Sequence, residues 1–255
     1  MTWNPQQYLK FSGARARPAL DLMNQIEIAD PAVIYDLGCG AGNITLLLHD
    51  RWPDARVTGV DDSQEMLAQA GARSDRIRWS LQSVADWTAS EPADVIFSNA
   101  ALHWIPHHDV LLPRLAKQLQ PSGILAVQMP RNFDAPSHTL IAETVLMGPW
   151  RSTLEPLLTR TPVGLPQDYF QILQPHAATL DIWETEYLHA LDGADPVKEW
   201  TKGTWLKRYL DALDEPQRSE FERYYAERLR SAYPPLADGR TLFPFRRLFI
   251  LMRAK

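Results

Sequence analysis

The stretch Ile34 to Asn43, "IYDLGCGAGN", decides the fold. An apolar β-rich run that opens at Ala32 and Val33 closes on Asp36, then breaks into glycines at 38, 40 and 42. The following "NITLLLHDRW" resumes helical periodicity until Pro53 stops it, so the unit reads as strand, glycine loop, helix. A dinucleotide cradle spaces its glycines G-x-G-x-x-G and aims a helix N-terminus at a pyrophosphate. Here the third glycine comes one residue early and an acid stands two before the first, so the fit to that pattern is poor. An acid beside a binding loop suits a cation.

The rhythm continues outward. Ahead of the stretch, "RPALDLMNQI" sets Leu20, Met23 and Ile26 or Leu22 at helical spacing, with Pro18 in a first turn. Behind it, "ARVTGVD" reads as a second strand and "SQEMLAQAGA" as a helix capped by Ser63 with Glu65 in its first turn. "RIRWSLQ" and "ADVIFSNA" are a third and a fourth strand. "HHDVLLPRLAKQLQPSG" is helical with a turn at Pro121-Ser122-Gly123, and "ILAVQMP" is a fifth strand. Strands and helices alternating at this spacing predict a doubly wound, mostly parallel α/β sheet covered on both faces.

Beyond Pro130 residues 131–175 carry prolines and short helical segments, "TLDIWETEYLHAL" alternates as a strand, residues 195–232 read as two helices, and "TLFPFRRLFILMRA" returns to a strand. That makes seven strands. The expected organisation is a single domain over 1–255, with a ligand-binding core at 14–130, a substrate-side elaboration and helical cap at 131–240, and the last strand of the sheet at 241–255.

Composition bounds the function. With 255 residues and 45% hydrophobic content the chain can bury a full core. A net charge of -5 disfavours a nucleic-acid partner, whose phosphates require a basic face. The single cysteine, Cys39, excludes an internal disulfide and a multi-cysteine metal site and fits the cytoplasm. The N-terminus lacks a signal-peptide pattern and no run is long enough to cross a bilayer, so neither export nor membrane insertion is expected. No metal is expected either, because His107 and His108 are adjacent and start a helix rather than converge on one ion. The nine tryptophans are assigned mostly to packing.

The D-x-G-x-G-x-G run after a first strand, the acid closing the second strand and the acid after the third together resemble the S-adenosylmethionine-dependent methyltransferases, whose sheet is Rossmann-like. That resemblance implies S-adenosyl-L-methionine as cofactor. It implies that Asp36, Gly38 and Gly40 lie against its methionine part, that Asp61 (with Asp62 as the alternative) accepts the ribose hydroxyls, and that Met66 packs on the adenine. Asp86, with Trp87 alongside, falls where the family accepts from the adenine amino group. Ligands of open α/β sheets sit at the carboxyl ends of the strands, so Asn99, His103 and Trp104 of "SNAALHWIP" approach the reactive methyl. In related enzymes a leading segment folds over the cofactor, which assigns Tyr8 to a lid and Arg15 to the methionine carboxylate.

A narrower likeness covers nearly the whole chain: "WNPQQYLKF", "RPALDL", "SNAALHWIP", "LDIWETEYLHAL", "YLDAL" and "LFPFRRLFI" resemble the trans-aconitate 2-methyltransferases. This implies esterification of one carboxylate of a small polycarboxylate. A carboxylate with a pKa near 4 is ionised at neutral pH, so no general base is required and the enzyme must align and desolvate. The remaining carboxylates call for arginine forks, histidine and tyrosine hydroxyls: Arg131, Tyr187, His189, Arg208 and one of Arg246 and Arg247, adjacent strand residues that face opposite ways, with Arg247 preferred. The competing readings are methylation of another small acid such as a malonyl thioester, an RNA methyltransferase, and a catalytically silent cofactor-binding module.

Overall fold

The computed structural model describes residues 12–159 and 163–255, with side chains from Ala16 onward. In chain order its elements are α1 (Ser12–Asn24), β1 (Val33–Leu37), α2 (Asn43–Arg51), β2 (Arg56–Asp61), α3 (Gln64–Gly71), β3 (Arg78–Leu81), β4 (Ala93–Asn99), α4 (His108–Ala116) and β5 (Leu119–Pro130). There follow α5 (Pro136–Met147), α6 (Arg151–Leu154), α7 (Pro166–Leu173), β6 (Ala177–Leu191), α8 (Pro196–Lys202), α9 (Lys207–Leu210), α10 (Gln217–Ala232) and β7 (Thr241–Ala254).

The seven strands form one sheet in the order β3-β2-β1-β4-β5-β7-β6. β1 pairs in parallel with β2 and β4, as β2 does with β3 and β4 with β5, whereas β7 lies antiparallel to β5. The chain winds outward from β1 to β3, then returns to lay β4 on the other side of β1. The carboxyl ends of β1 and β4 therefore flank the topological switch point, where such sheets bind ligands.

Two compact units are present, with the division falling within β6 and β7. The first holds residues 16–130, 163–185 and 247–255. Its central strands are apolar on both sides, as covered parallel strands must be: Ile34, Leu37, Val60, Val95, Phe97, Leu125, Val127 and Ile250 are fully buried. The second holds residues 131–159 and 186–246. Its core gathers Ile141, Val145, Trp150, Leu154, Trp200, Tyr209, Phe221, Tyr225 and Phe243. There Tyr225 Oη donates to the Ser137 carbonyl at 2.7 Å and Trp150 Nε1 to the Thr144 carbonyl at 2.8 Å, so the polar tips of large buried rings are satisfied.

Three details differ from the sequence expectation. α1 begins at Ser12, so Pro18 lies inside the helix and its missing N–H breaks one backbone bond there. The turn at Pro121-Ser122-Gly123 is absorbed into β5 as an irregularity: the register runs from Ala93↔Leu119 to Val95↔Ile124, and Ser122 takes a φ of 63° to accommodate the extra residues. Residues 195–232 form three helices, not two, because the short α9 intervenes.

Candidate functional site

β1 delivers Asp36 to the switch point. Its carboxyl is 2% exposed, and its Oδ2 accepts a 2.7 Å bond from Thr45 Oγ1 in the first turns of α2. Burial pushes Asp36 up to about 7; the Thr45 bond opposes the rise and repulsion from Asp61 adds to it. The loop after β1 is tied back to β2, because Gly38 N and Cys39 N both donate to the Val60 carbonyl, at 2.8 and 3.0 Å. Two glycines are demanded by this path. At Gly38 φ is +75° and an added Cβ would stand 2.1 Å from Ala101 Cβ, which brings the segment after β4 against the loop. At Gly40 φ is +54° and nothing lies within 4 Å of an added Cβ. Cys39 is no nucleophile, since burial and the two neighbouring acids push its thiol up.

β2 ends in Asp61. Its Oδ2 accepts from Gly40 N at 2.8 Å and its Oδ1 from Ser63 N at 2.9 Å, so the carboxylate links the glycine loop to the start of α3 while each oxygen keeps a second lone pair. Burial raises its pKa against those two bonds. Ser63 Oγ caps α3 by accepting from Met66 N at 3.3 Å, and the Met66 side chain is buried. Asp86 sits exposed at a turn after β3. Trp87 is buried edge-on against Tyr35, ring centroids 4.9 Å apart, and alternation along β1 turns Tyr35 to the face opposite Asp36.

β4 closes on Asn99, whose Oδ1 is buried without a hydrogen-bond partner. The chain then turns through Ala100, φ 53°, into a 3₁₀ turn at Leu102–Trp104. His103 is buried there and Trp104 is 49% exposed, with the two ring centroids 4.6 Å apart. His108, the first residue of α4, anchors the turn: Nδ1 lies 2.7 Å from Tyr169 Oη and Nε2 2.9 Å from the Leu102 carbonyl. Burial lowers its pKa and favours the neutral ring. On β7, Arg247 is 5% exposed and donates from Nη1 to Gln128 Oε1 at 3.3 Å, whereas Arg246 is partly exposed and 3.7 Å from Asp134. Of the adjacent pair, Arg247 is the buried one.

In the second unit Arg131 N donates to the Arg246 carbonyl at 3.0 Å. Tyr187 and His189 project from the same side of β6 with rings 8° from parallel, and His189 stacks on Trp200 at 4.9 Å. The Arg208 guanidinium lies over Trp205 at 4.3 Å and bonds Thr159 Oγ1 at 3.2 Å. His138, held among Phe133, Trp205 and Ser137, is kept neutral by burial, which lowers it to about 4. Tyr8 lies outside the described residues, and of Arg15 only the backbone, within α1, is described.

The residues that sequence reasoning passed over are Thr45, Trp79, His108 as an anchor, and Gln128. Trp79 of β3 is paired with Gly59 of β2, and its indole fills the space beside both Gly59 and Gly42. Its only sequence signal is a large ring on a strand next to a glycine-bearing one. Among the described residues no group of three or more His, Cys, Asp and Glu is placed to hold a metal, and no helix is long and apolar enough to cross a membrane.

A family model described as a methyltransferase domain matches residues 34–123, the segment that carries both acids and the glycine loop. The trans-aconitate 2-methyltransferase of Azoarcus sp. is 45% identical over 250 residues, 98% of each chain, and that of Rhodopseudomonas palustris is 44% identical with the same coverage. The chain belongs to the trans-aconitate 2-methyltransferase family. Its fold is shared with solved structures at much lower identity. The YcgJ protein from Bacillus subtilis gives a TM-score of 0.61 at 14% identity over 94% of this chain and 99% of that one. Phosphoethanolamine N-methyltransferase 2 of Haemonchus contortus, solved with S-adenosyl-L-methionine, gives 0.55 at 15% over 94% and 53%. Family membership makes the chain a methyltransferase, and the sequence match extends over both units, well beyond Pro130.

Proposed function

We propose that this chain uses S-adenosyl-L-methionine to esterify one carboxylate of trans-aconitate, releasing the monomethyl ester and S-adenosylhomocysteine. The observation that carries the reading is the 45% identity, over 98% of both chains, to an enzyme named for that reaction. The site's chemistry fits the cofactor. Asp36 is buried and Asp61 half-buried, repulsion from Asp61 adds to the cost of ionising Asp36, and the Gly40 backbone has room for a ligand to approach. Asn99 Oδ1, a buried acceptor without a partner, adds a third group suited to an ammonium.

When bound, S-adenosyl-L-methionine supplies a methyl group on a positively charged sulfur. Asp36, Gly38, Gly40 and Asn99 would hold its amino-acid end, Asp61 its ribose, and Met66 and Asp86 its adenine. The acceptor carboxylate is ionised at neutral pH, so the chain's task is alignment and exclusion of water. His103 and Trp104, fixed in the 3₁₀ turn through His108 and Tyr169, are the groups at the carboxyl end of β4 for that task. For the remaining carboxylates the sequence offers Arg131, Tyr187, His189 and Arg247, and among these Arg247 is a buried cation of the unit that carries Asp36 and Asn99. A net charge of -5 favours a small anionic acceptor held by local cations over RNA, and one cysteine favours a cytoplasmic setting.

The test is direct. The protein is incubated with methyl-labelled cofactor and a panel of organic acids, and the product is treated with mild base. Label released by base from trans-aconitate is the expected result; label that survives base, or transfer only to other acids, would overturn the proposal.

A further inference from the structure

β5 places one amide where an apolar side chain is the rule. Gln128 stands between Val127 and Met129 in a run from Gly123 to Met129 that is buried throughout, and its own exposure is 0%. Its orientation follows from chemistry: a guanidinium offers only donors, so the contact with Arg247 Nη1 fixes Oε1 on that side. The other amide atom, Nε2, is buried and without a hydrogen-bond partner. A buried amide donor left unpaired costs stability, and native interiors keep few of them. Mere space filling would be better served by leucine or methionine.

The register says where this donor sits. Gln128 is paired with Asn99 on β4 and with Phe249 on β7, and Arg247 is two residues from Phe249. Asn99, Gln128 and Arg247 therefore share one face of the sheet. Asp36 is paired with Phe97, two residues before Asn99, so this is also the face that carries Asp36. The neighbouring orphan, Asn99 Oδ1, is an acceptor and suits a cation; the Gln128 amide and the Arg247 guanidinium are donors and suit an anion.

We infer that Gln128 Nε2 and Arg247 form a two-donor seat for one carboxylate, with Gln128 Oε1 also setting the orientation of the guanidinium. This rests on the proposed esterification, in which two carboxylates are at hand: one on the acceptor acid, the other on the amino-acid end of the cofactor. Both present the same oxygen chemistry to the seat.

Three proteins separate the possibilities: wild type, Gln128→Met, which keeps the volume and removes both polar groups, and Gln128→Glu, which keeps an acceptor for Arg247 and replaces the free donor by an anion. Cofactor Kd is read by calorimetry without acid, KM and kcat for trans-aconitate at saturating cofactor, and folding by circular dichroism and thermal melting. If the seat holds the acceptor, both variants raise the KM for the acid by about tenfold to a hundredfold, the Glu variant at least as much as the Met variant, with cofactor Kd unchanged. If it holds the cofactor's carboxylate, the same loss appears in cofactor Kd and the acid KM is unmoved. Recovery of both constants in Gln128→Glu, or wild-type constants in a folded Gln128→Met, would overturn the seat, because a purely structural amide needs only the Arg247 contact. The Met variant is isosteric, so the question stays open to measurement if the Glu variant does not fold. Absence of any base-labile ester from wild type would sink the proposed function and is read before either variant.

Discussion

Replacing Asp36 by Asn tests the electrostatics of the site at its deepest point. The carboxyl is 2% exposed, and burial moves it from its ordinary 3.8 to about 7. Below pH 3.8 it is protonated whether the chain is folded or not and contributes nothing to the pH dependence of stability. As pH rises the unfolded chain ionises first, so folding loses free energy until the folded carboxyl also ionises near pH 7. The size follows from the two values: about 4 kcal/mol surrendered between about pH 4 and pH 7, a large share of the stability of an ordinary domain. Asn keeps an oxygen for the Thr45 hydroxyl and never ionises. Urea unfolding of wild type and Asp36→Asn at half-unit steps from pH 4 to pH 8 should therefore give curves that diverge across that window, with the variant gaining relative to wild type as pH rises. Comparing the two proteins cancels the titration of groups that are not coupled to Asp36. The same proton should be expelled when a cationic ligand binds: calorimetry of S-adenosyl-L-methionine at pH 6 in buffers of different ionisation enthalpy should show release of a fraction of one proton for wild type and almost none for the variant. Parallel stability curves, or proton release unchanged in Asp36→Asn, would refute the reasoning.

Asp61→Ala removes the acceptor for Gly40 N and Ser63 N as well as the proposed ribose ligand. It should weaken cofactor binding by about tenfold or more in calorimetry while leaving the acid KM at saturating cofactor near wild type. Gly38→Ala and Gly40→Ala pay different penalties: both force a positive φ, about 1–2 kcal/mol, but only the first adds a collision with Ala101. Thermal melts should therefore show Gly38→Ala the less stable, with Gly40→Ala folded and impaired chiefly in cofactor affinity. His108 is buried neutral, so its stabilising contribution is present above its ordinary 6.5 and is lost as pH falls through its lowered folded value. His108→Phe should flatten that part of the acid limb, measured as stability from pH 7 to pH 4, and should lower kcat by loosening the 3₁₀ turn it anchors.

What the sequence disclosed was whatever one segment encodes within itself. β1, its acid and the glycine loop were legible because strand, turn and helix signals there are contiguous, and Ser63 was legible as a cap because capping is a three-residue affair. Orientation outside regular elements was not. Trp87 follows Asp86 in a turn, where no period fixes the side-chain direction, and only the fold reveals that it packs on Tyr35 across the sheet. The turn at Pro121-Ser122-Gly123 carried every local signal of a break, yet pairing with β4 drew it into β5 as an irregularity. Gln128 and Trp79 depend on register between strands distant in sequence, and no local pattern carries a register. Arg246 and Arg247 fall between these cases: alternation established that they diverge, and burial identified Arg247 as the inward one.

Register also sets the order of polar side chains along the carboxyl edge of the sheet. Asp61 is two residues past Gly59, which is paired with Asp36; Asp36 is paired with Phe97, two before Asn99; Asn99 is paired with Gln128; and Arg247 follows by the same parity on β7. Across β2, β1, β4, β5 and β7 a single face thus presents acid, acid, amide, amide and guanidinium. Asp61, two residues beyond the partner of Asp36, raises the cost of ionising Asp36, an arrangement that a pyrophosphate would worsen and a sulfonium or ammonium would relieve. At the far end the guanidinium and the Gln128 amide favour the opposite sign. This charge order supports the proposed placement of the cationic cofactor at β1 and β2 and of a carboxylate at β5 and β7. Asn99 stands at the neutral midpoint, at the carboxyl end of the strand that leads to His103 and Trp104.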